Sequence, residues 1–363
     1  IPSTWAFRIK RYPDGSVRKH KARFCARGDR QIENVDFFET FAPVVSWNTV
    51  RLMLMLSIQL GLATKQVDYT AAFVHAPIDR PPNYEQMSQA EKDKAGVYVR
   101  PPPGYAAEGK VYKLKKSLYG LRQSSRNFFQ FLREKLINLG FEQAIDVDPC
   151  LFISEKVICL VYVDDTLCYA KEMKDIDAFL EKLSDEVKLE VEDDVAGFLG
   201  VHIKRTKDRI ELTQTGLIDK IIASLGVEEL APVTTPSDAV MGSDPEGDPP
   251  DCTFNYASVV GMLWYLSGHS RPDLQFAVSQ AARFSFAPKR SHELALIRIG
   301  QYLKATRTRG MILKPMDTST FQMDVYVDSD FMGLYGTEKR SDPVNVKSRT
   351  GYVICLNQCP IIW

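Results

Sequence analysis

At 363 residues the chain is long enough for two or three compact units, and its 45% apolar and 25% charged residues suit a globular protein with a sizeable core. The longest central apolar run, Val157–Val163, is far too short to span a bilayer, so no membrane is expected among its partners. The net charge of zero argues by itself against nucleic-acid binding, but the charges are segregated. Residues 1–31 carry Arg8, Lys10, Arg11, Arg18, Lys19, Lys21, Arg23, Arg27 and Arg30 against only Asp14 and Asp29. Further basic stretches run over 110–135 and 283–309, and acidic ones over 172–194 and 238–251. Separate basic blocks suit a protein that grips a phosphate backbone on chosen surfaces; solvated helix faces are the alternative.

The seven cysteines form no CxxC pair and have no histidine at zinc spacing. Cys159 and Cys168 lie in apolar runs and read as buried thiols of a reducing, intracellular setting. The chain opens on Ile1 and closes on Ile361-Ile362-Trp363, so a segment of a longer polypeptide is expected.

In chain order, a hairpin is expected first: Trp5–Lys10, a Pro13-Asp14-Gly15 turn, then Val17–Ala26. Ser46 reads as the cap of a helix ending near Leu60 and Gly61, followed by a strand, Ala63–Asp68. Ile78–Gly109 reads mostly as loop. Ser124 is placed as the cap of a helix carrying Phe128, Leu132, Leu136 and Leu139 on one face, closed by Gly140. Val157–Val163 and Thr166–Ala170 read as strands joined at Asp164-Asp165. A helix follows with Ile176, Phe179, Leu180, Leu183 and Val187 on one face, and then a hairpin of Phe198–Lys204 and Arg209–Leu212. Leu217–Leu225 reads as a helix, 232–251 as a linker, and 255–268, 273–285 and 290–306 as helices, before strands near 321–328 and 351–356. The order is that of an α+β fold rather than an alternating parallel one.

The segment with the most chemistry is Tyr162-Val163-Asp164-Asp165. A tight turn between strands presents adjacent carboxylates rigidly. Phosphoryl transfer to a 3′-hydroxyl asks for two hard cations about 4 Å apart, and hard cations take carboxylate oxygens. An Asp-Asp turn is by itself more often only a turn. A third aspartate, Asp68, ends a strand upstream, with Phe73 five positions later.

These residues resemble the copia-type reverse transcriptases of long-terminal-repeat retrotransposons, and the resemblance runs along the chain in family order. Lys21 to Gly28 with Glu39 to Val45 is similar to the family's fingers signature, and Lys115 to Gln123 to its next palm block. Phe198-Leu199-Gly200 is similar to its primer-contacting block, and Tyr265-Leu266 through Arg271-Pro272-Asp273, then Tyr302-Leu303-Lys304, to its later helices. The resemblance implies a right-hand polymerase: fingers and palm in 1–203, a thumb-like segment in 204–231, a linker in 232–251, a helical connection in 252–310, and an incomplete ribonuclease H-like domain in 321–363.

Carried over, it implies that Asp68 and Asp164 bind two magnesium ions (manganese being the alternative), with Asp165 contributing less. Phe73 would exclude a 2′-hydroxyl; alone it reads equally well as a core aromatic. Lys21, Arg23 or Arg27 would hold the triphosphate, and Gln123 would contact the nucleotide or template, against a plain solvent-facing glutamine. Tyr162 and Gly200 would lie against the primer, though a glycine in a tight bend explains Gly200 as simply. Asp328 would be the first ribonuclease H ligand, but Leu334–Val346 departs from the short family turn and one aspartate makes no two-metal site. No ribonuclease H activity is expected.

The implied function is RNA- and DNA-directed DNA synthesis on an RNA template with a DNA primer, through an RNA–DNA hybrid and with dNTPs as substrates. The implied partners include the capsid, protease and integrase of the polyprotein, and the implied location a cytoplasmic virus-like particle whose contents enter the nucleus. The main rival is a decayed, non-catalytic remnant that only binds nucleic acid. A generic metal-dependent nuclease leaves Phe73 and the basic hairpin unexplained.

Overall fold

The structure, a computed structural model, describes the chain except residues 12–16, 103, 106–108, 193–194, 196, 252, 336–337 and 339–345, with backbone only at 10, 11 and 18. The expected turn at Pro13-Asp14-Gly15, Cys252 and most of the 334–346 segment therefore lie outside the described residues. The chain divides into two compact units, Ile1–Ser46 with Ala63–Asp194, and Trp47–Leu62 with Val195–Trp363.

The first unit is built on a six-stranded antiparallel sheet in the order Leu189–Glu192, Ala63–Tyr69, Asp165–Ala170, Val157–Tyr162, Leu151–Ile153, Glu142–Gln143. Its two central strands read as nearly continuous apolar runs because both faces are covered. Helices Ser124–Asn138 and Met173–Ser184 pack on the sheet. Phe128 meets the Tyr69 ring at 5.4 Å, and Phe179 meets Phe141 at 4.9 Å. Cys159 and Cys168 face each other across the central pair with their sulfurs 3.7 Å apart, both fully buried, as their apolar flanks require.

Three local expectations change. Ser124 is the first helical residue rather than a cap, since its hydroxyl donates to the Leu118 carbonyl at 2.6 Å. The 78–109 stretch holds a short helix, Gln89–Lys94, closed at its start by a Ser88–Glu91 capping box. Strand Leu189–Glu192 escapes a reading by alternation because three of its four residues are exposed.

Strands Ser3–Arg11 and Val17–Ala26 form the expected hairpin, with Arg23 opposite Ala6 and Lys21 opposite Arg8. Side-chain alternation puts Arg8, Lys19, Lys21 and Arg23 on one face and Trp5, Phe7, Ile9 and Phe24 on the other. The end of this hairpin is fastened to residues 117–123 backbone to backbone, as Ala26 N–H donates to Tyr119 O at 2.8 Å. Two glycines permit the approach. A β-carbon on Gly28 would stand 2.1 Å from Gly120 O, and one on Gly120 would stand 2.2 Å from Ala26 O. Gly120 also has φ +86°, where other residues are strained.

The second unit joins a helical core to two sheets. Helices Thr215–Leu225, Tyr256–His269, Gln275–Ala282 and Arg290–Ala305 bury Ile221, Leu263, Val278 and Leu303 against one another. A four-stranded sheet runs in the order Gly197–Phe198, Val201–Arg205, Ile210–Thr213, Met311–Leu313. A three-stranded sheet comprises Met323–Ser329, Thr350–Leu356 and Cys359–Ile362. The helix Trp47–Gln59 belongs to this unit through the buried Arg51, which has no carboxylate partner among the described residues. Arg51 donates to Ile361 O at 2.6 Å, Gly268 O at 2.7 Å and Asn48 Oδ1 at 2.6 Å, and lies 3.9 Å from the Trp363 ring centroid. Burial holds it down to about 10, so it stays charged.

Gly28→Ala should cost about 2 kcal/mol or more of stability, because backbone must move to admit the methyl. Urea denaturation measures this, and an unchanged midpoint would mean that the two segments do not meet in solution.

Candidate active site

The strand Ala63–Tyr69 pairs with Asp165–Ala170 so that Asp68 is directly opposite Asp165, and Asp165 is in turn opposite Tyr162. Cross-strand partners share a sheet face, so the pairing brings two carboxylates from distant parts of the chain together. The turn differs from expectation by one residue. Asp165 is already the first residue of the return strand, and the turn consists of Val163 and Asp164. The register at Tyr162–Asp165 leaves only those two residues unpaired. Asp164 O accepts from Tyr69 N at 3.0 Å, which ties the turn to the strand carrying Asp68. Val163 has φ +50°, a left-handed conformation that strains a β-branched residue by roughly 1–3 kcal/mol.

The three aspartates feel one another. Asp165 is pushed up to about 6, first by burial, then by the charges of Asp164 and Asp68, with Gln66 opposing and Glu192 adding to the rise. Gln66 Nε2 reaches Asp165 Oδ1 at 3.5 Å. The next group outward is Tyr119. Burial raises its phenol, Arg23 lowers it, and Asp164 and Asp68 raise it again, so it faces both charge types. The Arg23 guanidinium lies 5.5 Å from the Tyr119 ring centroid. Phe73 packs edge-on against the same ring at 5.0 Å, held by a single helical turn, Ala72–His75, that follows Ala71 at φ +55°.

Carboxylates are the right donors for a hard divalent cation, and their mutual repulsion marks an excess of negative charge that such an ion would relieve. Among the described residues no three acidic, histidine or cysteine side chains stand close enough to form a ready-made cage. Magnesium does not require one, since it keeps waters and substrate phosphates among its ligands.

The sequence profile of the family described as reverse transcriptase (RNA-dependent DNA polymerase) matches residues 1–239. This chain belongs to the reverse transcriptase family. It is 30% identical over 371 residues to the retrovirus-related Pol polyprotein from transposon RE1 of Arabidopsis thaliana, covering 99% of this chain and 23% of that one. With the corresponding polyprotein from transposon TNT 1-94 of Nicotiana tabacum it shares 28% over 376 residues, covering 99% and 26%. The similarity to the transposon Ty1-H Gag-Pol polyprotein of Saccharomyces cerevisiae is 34% over 178 residues, covering 48% and 8%. The chain spans about a quarter of the length of the plant relatives. The copia-type resemblance and the retrotransposon polyprotein context both hold.

Within the first unit the structure gathers Asp68, Asp164, Asp165, Tyr162, Phe73 and Arg23. It separates the three candidate cations. Arg27 is engaged by Asp29 through two bonds of 2.8 and 2.7 Å, whereas Lys21 and Arg23 share the basic hairpin face. Gln123 is neither solvent-facing nor presented to a ligand. It is 0% exposed, donates to Asp36 O at 2.8 Å and accepts from Gln31 Nε2 at 3.0 Å, so it acts as an internal strut. Gly200 and Asp328 lie in the second unit, Gly200 in a turn at φ +75° and Asp328 on the exposed strand Met323–Ser329 opposite Gly351. Sequence reading missed Tyr119; its only signal was its place inside the Ser117–Gln123 block.

Because the folded chain holds the Asp165 proton more tightly than an unfolded carboxyl of 3.8 does, this group's contribution to stability falls as pH rises from about 4 to about 6. In EDTA, Asp165→Asn should flatten the wild-type slope in that window. Urea midpoints of both proteins across the window measure it; parallel slopes would show that Asp165 titrates normally.

Proposed function

We propose that this chain is an RNA-directed DNA polymerase that also copies DNA, extending a primer 3′-hydroxyl with deoxynucleoside triphosphates and releasing pyrophosphate. The observation that carries this reading is the meeting of Asp68, Asp164 and Asp165 at paired strand ends, next to Tyr119 and Arg23. Asp68 and Asp164, with Asp165 contributing less, would hold two magnesium ions, which supply activation of the primer hydroxyl and neutralisation of the triphosphate. The chain's own residues do the rest. Arg23, on the basic hairpin face, binds triphosphate oxygens through charge-assisted bonds, with Lys21 beside it. Phe73, fixed against Tyr119 and Phe128, stands where a bulkier sugar would collide. Tyr162, opposite Asp165, packs near the primer terminus.

In this reading the six-stranded sheet is a palm and the basic hairpin the fingers. Residues 204–231 serve as a thumb, 252–310 as a connection, and the sheet containing Asp328 begins a ribonuclease H-like domain. The template is RNA, the product first an RNA–DNA hybrid, and the setting a polyprotein that supplies capsid, protease and integrase in a cytoplasmic particle.

Primer extension on a primed RNA template with magnesium tests this directly. Asp164→Asn should lower extension by about a thousandfold or more, the scale of losing a group on which charge stabilisation depends, while hybrid binding is retained. Substantial extension by that variant removes Asp164 from the site. Phe73→Ala should let ribonucleotides in, seen as a narrowed ratio of dNTP to NTP incorporation; an unchanged ratio takes sugar selection away from Phe73.

A further inference from the structure

Two buried nucleophiles, Cys159 and Cys168, have no part in the carboxylate site. They stand directly opposite each other on the central strand pair, with their sulfurs 3.7 Å apart and neither residue exposed. The backbone pairing decides what two such thiols can do. Val161 N–H donates to Cys150 O at 2.9 Å, and Val157 O accepts from Ser154 N at 2.9 Å, so both residues turn their backbone polar groups toward the strand Leu151–Ile153. These groups alternate sides along an antiparallel strand. Cys159, midway between, therefore turns the same way, and its pairing with Cys168 is a non-hydrogen-bonded one.

Such a pair brings its α-carbons to about 4.5 Å, closer than the alternate pairs do. A disulfide asks for α-carbons roughly 4.4–6.8 Å apart and sulfurs about 2 Å apart. The register thus already suits the bond, and closing it is a movement of side chains. Cys355 and Cys359, which also share a hairpin, lack this arrangement, since they face Pro360 and Leu356.

The bond would close a ring around 160–167, which holds the Val163–Asp164 turn and Asp165. Cys168 lies an odd number of residues from Asp165, so the sulfurs occupy the opposite sheet face from that carboxylate. They share their face with Thr166, whose hydroxyl meets that of Tyr69 at 3.1 Å. Burial holds the Cys159 thiol up, and Cys168 adds to the rise. The thiolate therefore forms when the hairpin opens locally, and its reactions are slow.

We infer that Cys159 and Cys168 are a modification site, at which a peroxide forms a reversible disulfide that latches the central strands in the register the carboxylates need. One thiolate attacks a peroxide oxygen and becomes a sulfenic acid; the other oxygen leaves as hydroxide and takes up that thiol's proton as water. The second thiolate attacks the sulfenic sulfur, forming the S–S bond and releasing the sulfenic oxygen as a second water. The two thiols lose two electrons and two protons, and one hydrogen peroxide gains them.

The test treats the folded full chain with hydrogen peroxide, blocks remaining thiols with N-ethylmaleimide in denaturant, and digests with trypsin. Both cysteines then lie in one peptide, 157–171, bounded by Lys156 and Lys171. The expected product is that peptide two hydrogens lighter and unlabelled, and dithiothreitol before blocking restores double labelling. Amide hydrogen exchange across the same peptide should slow by roughly fivefold on oxidation, because local opening is restrained, and recover on reduction. Cys168→Ala should show neither change, its Cys159 staying a thiol or going on to a sulfinic acid. Double labelling of the wild-type peptide after peroxide overturns the inference, as does a link from either sulfur to another cysteine. Equal exchange in the oxidised and reduced chains removes the latch.

Discussion

The register between Ala63–Tyr69 and Asp165–Ala170 is the constraint on which the rest depends. In a sheet, a slip of one residue turns every side chain to the opposite face. Here it would part Asp68 from Asp165 and push one of them toward the core. The register is held from both ends. Apolar neighbours such as Val67, Leu167 and Tyr169 are fully or almost fully buried, and Asp164 O accepts from Tyr69 N at the turn. The strain at Val163 is tolerated because these bonds over-determine the turn.

Concentrating three carboxylates in one place has an electrostatic cost that the protein only partly offsets. Asp165 carries the sign of it, raised by burial and by its two neighbours. The cation beside Tyr119, Arg23, comes from a different hairpin, which is why the backbone-to-backbone contact at Gly28 and Gly120 bears on the site as well as on packing. That contact brings Tyr119 under Arg23 on one side and within reach of the Asp68 and Asp164 charges on the other. Gln123, three residues on, closes the joint from inside by bonding Gln31 and Asp36.

The second unit uses buried arginines in the same structural spirit. Arg51 satisfies its charge with carbonyls and an aromatic face, and Arg271 with a bidentate carboxylate. Removing one partner from such a group leaves a costly unpaired donor, so each arginine specifies one arrangement of the elements it joins. Arg51 joins helix Trp47–Gln59 to the final strand, and Arg271 joins two helices.

Strands with alternating or continuous apolar runs and helices with a clear apolar face were legible from the sequence alone, because local periodicity is a local property. So was the family, because motif order is written along the chain. Exposed Leu189–Glu192 was not legible, nor was the placing of helix Trp47–Gln59 in the second unit, since both depend on partners far away in sequence. The same holds at the site. Sequence nominated Lys21, Arg23 and Arg27 equally; the fold engaged Arg27 with Asp29 and set Arg23 against Tyr119. It also turned Gln123 inward and moved Asp165 out of the turn. Residue type says which chemistry a side chain can do, but burial, register and the nearest opposite charge say whether it is in a position to do it, and those come only with the tertiary structure.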